Sequence, residues 1–82
     1  MVLVDIYFPA IDRTEDFSLD ENVSISSLQE EIVEMMMQMT HVESLEQGGQ
    51  WMLCNYQTGS ILPLESSLAE CGIRNGNKLL MV

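Results

Sequence analysis

One segment constrains the fold more than any other: Ser67-Leu-Ala-Glu-Cys-Gly-Ile-Arg-Asn-Gly-Asn-Lys-Leu-Leu-Met-Val82, a compact turn that delivers an apolar strand. Gly72 and the run Asn75-Gly76-Asn77 tolerate positive φ at little steric cost, so they read as turn formers. Leu79 to Val82 is a short apolar run bounded by that turn, the expected look of a buried central strand. Leu68 and Ile73 serve as anchors that pin the turn to a core. A strand placed there needs partners supplied by the rest of the chain.

At 82 residues the chain reads as a single domain over 1–82, near the lower size at which one hydrophobic core holds without staples. No apolar run approaches the roughly 20 residues of a membrane span. The start, Met1-Val-Leu-Val-Asp5-Ile-Tyr-Phe8, lacks a basic region and carries an acid inside its apolar stretch, which argues against a signal peptide. A cytoplasmic location is the simplest expectation. Cys54 and Cys71 have neither Cys-x-x-Cys spacing nor the density of a disulfide scaffold, so they read as reduced, structural thiols. His41 cannot complete a usual zinc set with those two, and no metal or cofactor is expected.

Charge is unevenly placed. The net charge is −10, and residues 1–50 hold eleven acids against Arg13, whereas residues 51–82 hold Glu65 and Glu70 against Arg74 and Lys78. Such a field repels phosphate backbones and anionic lipid, which disfavours nucleic acid and membrane surfaces as partners. It serves solubility in the plainer reading and a basic partner surface in the sharper one.

Val2, Val4, Ile6 and Phe8 share one face of a first strand by the period of two, and Pro9 with Asp12-Arg-Thr14 closes it. Phe17 and Leu19 alternate in a second strand, completing a hairpin. The stretch Asp20 to Ser27 offers helix caps, with Ser26 to Gln29 and Ser27 to Glu30 at capping-box spacing. A helix is expected from about Ser24 to Met39, its stripe built from Leu28, Ile32, Met35, Met36 and Met39 beside Ile25. Val33 and Met37 lie off that stripe, so methionine on one flank is a minor candidate for an adaptable binding surface. His41 to Gln50 reads as a loop, Trp51 to Tyr56 as a third strand, Gln57 to Ser60 as a turn, and Ile61-Leu62 as a short fourth strand ended by Pro63.

This order, β-β-α-β-β-turn-β, resembles the ubiquitin-like β-grasp fold. The resemblance is carried by Leu19-Asp-Glu-Asn-Val-Ser-Ile-Ser-Ser-Leu-Gln-Glu-Glu-Ile32, similar to the strand-to-helix passage of ubiquitin, and by Ser67 to Leu79. Gly49-Gln-Trp51, with Leu68-Ala-Glu-Cys-Gly-Ile-Arg-Asn-Gly-Asn-Lys-Leu79, is most similar to the small bacterial YukD/EsaB proteins of type VII secretion loci. The resemblance implies an α+β fold in which a mixed sheet of about five strands, order 2-1-5-3-4, curls over one main helix. The last strand is then parallel to the first and antiparallel to the third.

If Leu79 and Met81 face the helix, Leu80 and Val82 must face away. On the third strand Asn55 shares parity with Trp51 and Leu53, and its polarity points that set outward. Trp51, Leu53, Leu80 and Val82 are therefore the expected protein-binding patch, with Met37 as a separate candidate; the alternative is that Trp51 folds back or the parity is reversed.

The resemblance implies a non-enzymatic protein-interaction module, an accessory or regulatory component docking onto membrane-embedded machinery that exports WXG-type proteins. Alternatives are a modifier or sulfur carrier of the same fold, or a generic ubiquitin-like adaptor outside secretion. Conjugation and sulfur transfer need a flexible C-terminal Gly-Gly, which Leu80-Met81-Val82 does not provide, so competence for either is not expected. The patch could also be self-complementary and give a homodimer. Enzymatic chemistry is not expected: Cys54 and Cys71 have only His41 as an imidazole base, and Glu30 and Glu34 sit on a solvated helix face.

Overall fold

A computed structural model describes residues 1–40 and 51–82; the expected loop from His41 to Gln50 lies outside the described residues. The elements are β1 (Val2–Phe8), β2 (Arg13–Leu19), α1 (Ile25–Thr40), β3 (Leu53–Asn55) and β4 (Lys78–Met81). They form a four-stranded mixed sheet in the order β2-β1-β4-β3, packed on one helix. β1 is antiparallel to β2, β4 runs parallel to β1, and β3 is antiparallel to β4. This is the ubiquitin-like arrangement. The expected fourth strand shrinks to a single bridge, Cys54 to Ile61, because Leu62 donates its N–H to the Leu53 carbonyl (2.8 Å) and Pro63 then has no N–H to continue the ladder.

Period-two alternation decides what β1 buries. Val2, Val4, Ile6 and Phe8 all face the helix, and the register sets Val4 opposite Phe17 and Val2 opposite Leu19. The Phe8 and Phe17 rings meet edge-on, with centroids 6.1 Å apart. From the other side the helix supplies Ile25, Leu28, Ile32, Val33 and Met36, with Met35 and Met37 half-buried at its margin. Val33 thus joins the core although it lies off the expected stripe. The apolar sector of the sixteen-residue helix is therefore wider than one row.

The helix opens at Ile25, beside the expected start near Ser24 and two to three residues before caps at Ser26 or Ser27 would place it. Ser24 is the cap: its Oγ accepts the Ser27 N–H at 3.3 Å, three residues on. The first two helical N–H groups are satisfied from outside, Ile25 donating to the Ser66 carbonyl (2.7 Å) and Ser26 to that of Leu64 (3.1 Å). The segment before the final turn therefore clamps the start of the helix. A reciprocal capping box follows at Ser67 and Glu70: the Ser67 N–H donates to Glu70 Oε1 (3.1 Å) and the Glu70 N–H to Ser67 Oγ (3.2 Å).

The turn into β4 explains why Gly76 is there. Asn77 N–H donates to the Arg74 carbonyl (3.1 Å) and Gly76 takes φ +86°, the left-handed region that the third position of a type II turn requires. Its N–H then reaches the Leu3 carbonyl (2.8 Å), while Asn75 Oδ1 accepts the Leu3 N–H (2.8 Å). The turn thereby sets the parallel register of β4 on β1, which places Leu79 beside Ile6 and Leu80 beside Tyr7.

Candidate interaction surface

The face of the sheet turned away from the helix is built by the residues that alternate with the core. On β4, Leu79 and Met81 are buried in the core, so Lys78 and Leu80 lie on the outer face, with Val82 just beyond, as expected. On β3 the expectation fails. Leu53 is 0% exposed and stands opposite Met81 in the core, so the outward set is Met52, Cys54 and Tyr56, the last two opposite Leu80 and Lys78. Leu53 is therefore removed from the candidate patch.

The cause is Asn55. Its Oδ1 accepts the Gln57 N–H (3.0 Å) and its N–H donates to the Ser60 carbonyl (2.9 Å), so its polarity serves the turn after β3 rather than contact with water. Polar character marked a turn and not a face. Trp51 shares Leu53's inward parity and is half-buried against the rim of the core. Met37 is likewise half-buried against the core and sits on the helix, away from the outer face of the sheet.

The register assembles an apolar row across the outer face. Ile61 is paired with Cys54, Cys54 with Leu80, Leu80 with Tyr7, and Tyr7 with Thr14. Met52 and Val82 lie beside this row, bound to each other by two backbone hydrogen bonds of 2.7 and 3.0 Å. Exposure is substantial at Ile61 (58%), Met52 (43%) and Val82 (40%), and Leu80 is half-buried between its neighbours. Cys54, flanked in register by Leu80 and Ile61, is buried, and burial pushes its thiol above the ordinary value. The exposed aliphatics that adjoin β3 and β4 are a candidate interaction surface, since contiguous apolar patches are what protein partners commonly cover. Sequence reasoning reached Leu80 and Val82 but missed Met52, whose signal was its shared parity with Tyr56, and Ile61, which joins only through its bridge to Cys54.

A second row runs parallel to the first. Tyr56 donates its N–H to the Lys78 carbonyl (3.1 Å), Lys78 stands beside Asp5, and Asp5 stands opposite Asp16. The Lys78 ammonium lies 4.4 Å from the centroid of the Tyr56 ring and 5.8 Å from that of Tyr7. Tyr7 Oη donates to Asp12 Oδ1 (3.0 Å), and this bond holds the Tyr7 phenol above its ordinary pKa. Among the described residues no group of three or more His, Cys, Asp or Glu is placed to hold a metal ion, and no helix is long and apolar enough to cross a membrane.

Sheet order, helix position and an apolar outer face together define a ubiquitin-like domain. Solved structures agree. The chain is similar to the EccD5 ubiquitin-like domain from Mycobacterium xenopi, with 26% identity and a TM-score of 0.79 over 99% of this chain and 91% of that one. It is similar in fold to a chain of the MycP5-free ESX-5 inner membrane complex (22% identity, TM-score 0.79), covering 99% of this chain and 20% of that chain. It also matches the ubiquitin-like domain of the Mycobacterium tuberculosis type VII secretion protein EccD1 (19% identity, TM-score 0.70), covering 100% of this chain and 99% of that chain. No curated protein matches the sequence. The sequence model of the WXG100 protein secretion system (Wss) protein YukD matches residues 2–81, and the chain belongs to the YukD family.

Proposed function

We propose that this YukD-family domain is a non-enzymatic docking module on the cytosolic side of a type VII secretion apparatus, engaging a protein component through the outer face of its sheet. The observation that carries the proposal is the apolar row of exposed Ile61, Met52 and Val82 around half-buried Leu80, on the face of the sheet opposite the one the helix covers. The similarity to a chain of the ESX-5 inner membrane complex supports a partner within such machinery. Two free cysteines, Cys54 and Cys71, fit a reducing compartment. Burial raises both thiols, with Glu70 adding to the effect at Cys71, which makes them poor nucleophiles and supports a role without covalent catalysis.

The test is recovery of envelope proteins by tagged wild-type protein and by Leu80→Lys, identified by mass spectrometry. Secretion components recovered by the wild type and lost with the folded variant are the expected result. Equal recovery by the two proteins would refute the docking face.

A further inference from the structure

The outer face is divided lengthwise by chemistry. One half is the aliphatic row; the other ends in Asp5 and Asp16, directly opposed on antiparallel strands. Opposed like charges disfavour a strand pair, and their Cβ atoms lie about 4.5–5.5 Å apart in such a register. A neighbouring cation normally offsets this. Lys78, beside Asp5 in the parallel register, is drawn over Tyr56 instead, and among the described residues no ion pair ties it to either carboxylate. Arg13, on the same strand as Asp16, closes on Glu15 at 2.6 Å, and Glu15 is opposite Ile6, on the helix side of the sheet. The acid pair is thus left without a cation next to an exposed apolar surface. The protonated Asp16 carboxyl can donate a hydrogen bond to Asp5, and this bond together with the Asp5 charge holds it above its ordinary pKa, as expected where the neighbouring charge has the same sign.

We propose that the partner of this face is a protein surface whose aliphatic side chains are flanked by an arginine, the aliphatics covering Met52, Leu80 and Val82 while the guanidinium seats across Asp5 and Asp16. This rests on the docking role of the outer face. A guanidinium suits the site because its planar fork addresses two carboxylates at once. A second copy of the chain is a poor occupant, since it brings the same −10 charge and only three basic residues.

The test is a random peptide library selected on the full chain, with Leu80→Lys as the counter-selection. Selected peptides are then titrated against wild type and against the Asp5→Asn/Asp16→Asn double variant, whose fold is verified by circular dichroism. The expected result is Leu80-dependent peptides rich in arginine beside aliphatics, bound about two- to thirtyfold more weakly by the double variant, the range for two exposed charge contacts. Leu80-dependent peptides without excess arginine, bound equally by both proteins, would overturn the charge assignment and leave the docking face intact. Failure to obtain any Leu80-dependent peptide would overturn both. Self-association of the wild type abolished by Leu80→Lys would overturn the proposed occupant in favour of a second copy.

Discussion

The inward orientation of Leu53 makes a sharp prediction, because neighbouring residues on the same short strand should behave oppositely. Leu53 is 0% exposed, opposite Met81 and within the cluster that includes Leu79 and Leu62, whereas Met52 is 43% exposed. Truncating Leu53 to alanine removes buried methyl groups and leaves a cavity lined by those neighbours, at a cost of about 2–5 kcal/mol. A domain of this size has a total stability of about 5–15 kcal/mol, so the variant should lose a large share of it. At about 4–8 °C per kcal/mol, Leu53→Ala should lower Tm by about 8 °C or more, whereas Met52→Ala should stay within about 0.5 kcal/mol of wild type. Thermal melts and urea titrations followed by far-UV circular dichroism measure both, the urea midpoint shifting without a change in slope. A neutral Leu53→Ala beside a strongly destabilised Met52→Ala would refute the assigned parity of β3, and with it the composition of the outer face.

Asp16→Asn should raise Tm at pH 7. The folded-state pKa of Asp16 is raised, so its favourable contribution is present below the unfolded pKa and is lost as pH rises through the folded value; the gain should vanish in melts at acid pH. Gly76→Ala should cost about 1–2 kcal/mol in urea unfolding, because φ is +86° and an added Cβ meets nothing within 4 Å, which leaves backbone strain as the cause. Ser67→Ala should cost about 0.5–2 kcal/mol by the same assay through loss of its capping bond to the Glu70 N–H. Leu80→Lys should keep its melting cooperativity and lie within about 1 kcal/mol of wild type, since Leu80 lies on the outer face.

Local periodicity made much of the fold legible. β1 alternates over seven residues, and the helix carries a long apolar stripe, so both stand out from their own sequence. The turn glycines did the same for the start of β4, where positive φ at Gly72 and Gly76 is met by the residue type that tolerates it. What failed was information held between segments. β3 is only three residues long, too short for alternation to outvote one polar residue, and Asn55 proved to be a turn acceptor. The choice of Ser24 over Ser26 or Ser27 as helix cap was decided by carbonyls of Leu64 and Ser66, forty residues away or nearly so. The candidate site divides the same way. Leu80 and Val82 followed from strand parity alone, whereas Ile61 joins through one bridge to Cys54, and the opposition of Asp5 to Asp16 exists only once β1 and β2 are in register.

The central claim is that the outer face of the sheet docks onto the secretion apparatus, and site-specific photocrosslinking in the native host tests it most directly. A benzophenone side chain introduced at exposed Ile61, at the edge of the apolar row, is compared with one at exposed Glu31 on the helix. The account predicts a discrete adduct with a secretion component from position 61 and none from position 31. Adducts from position 31 alone would contradict it.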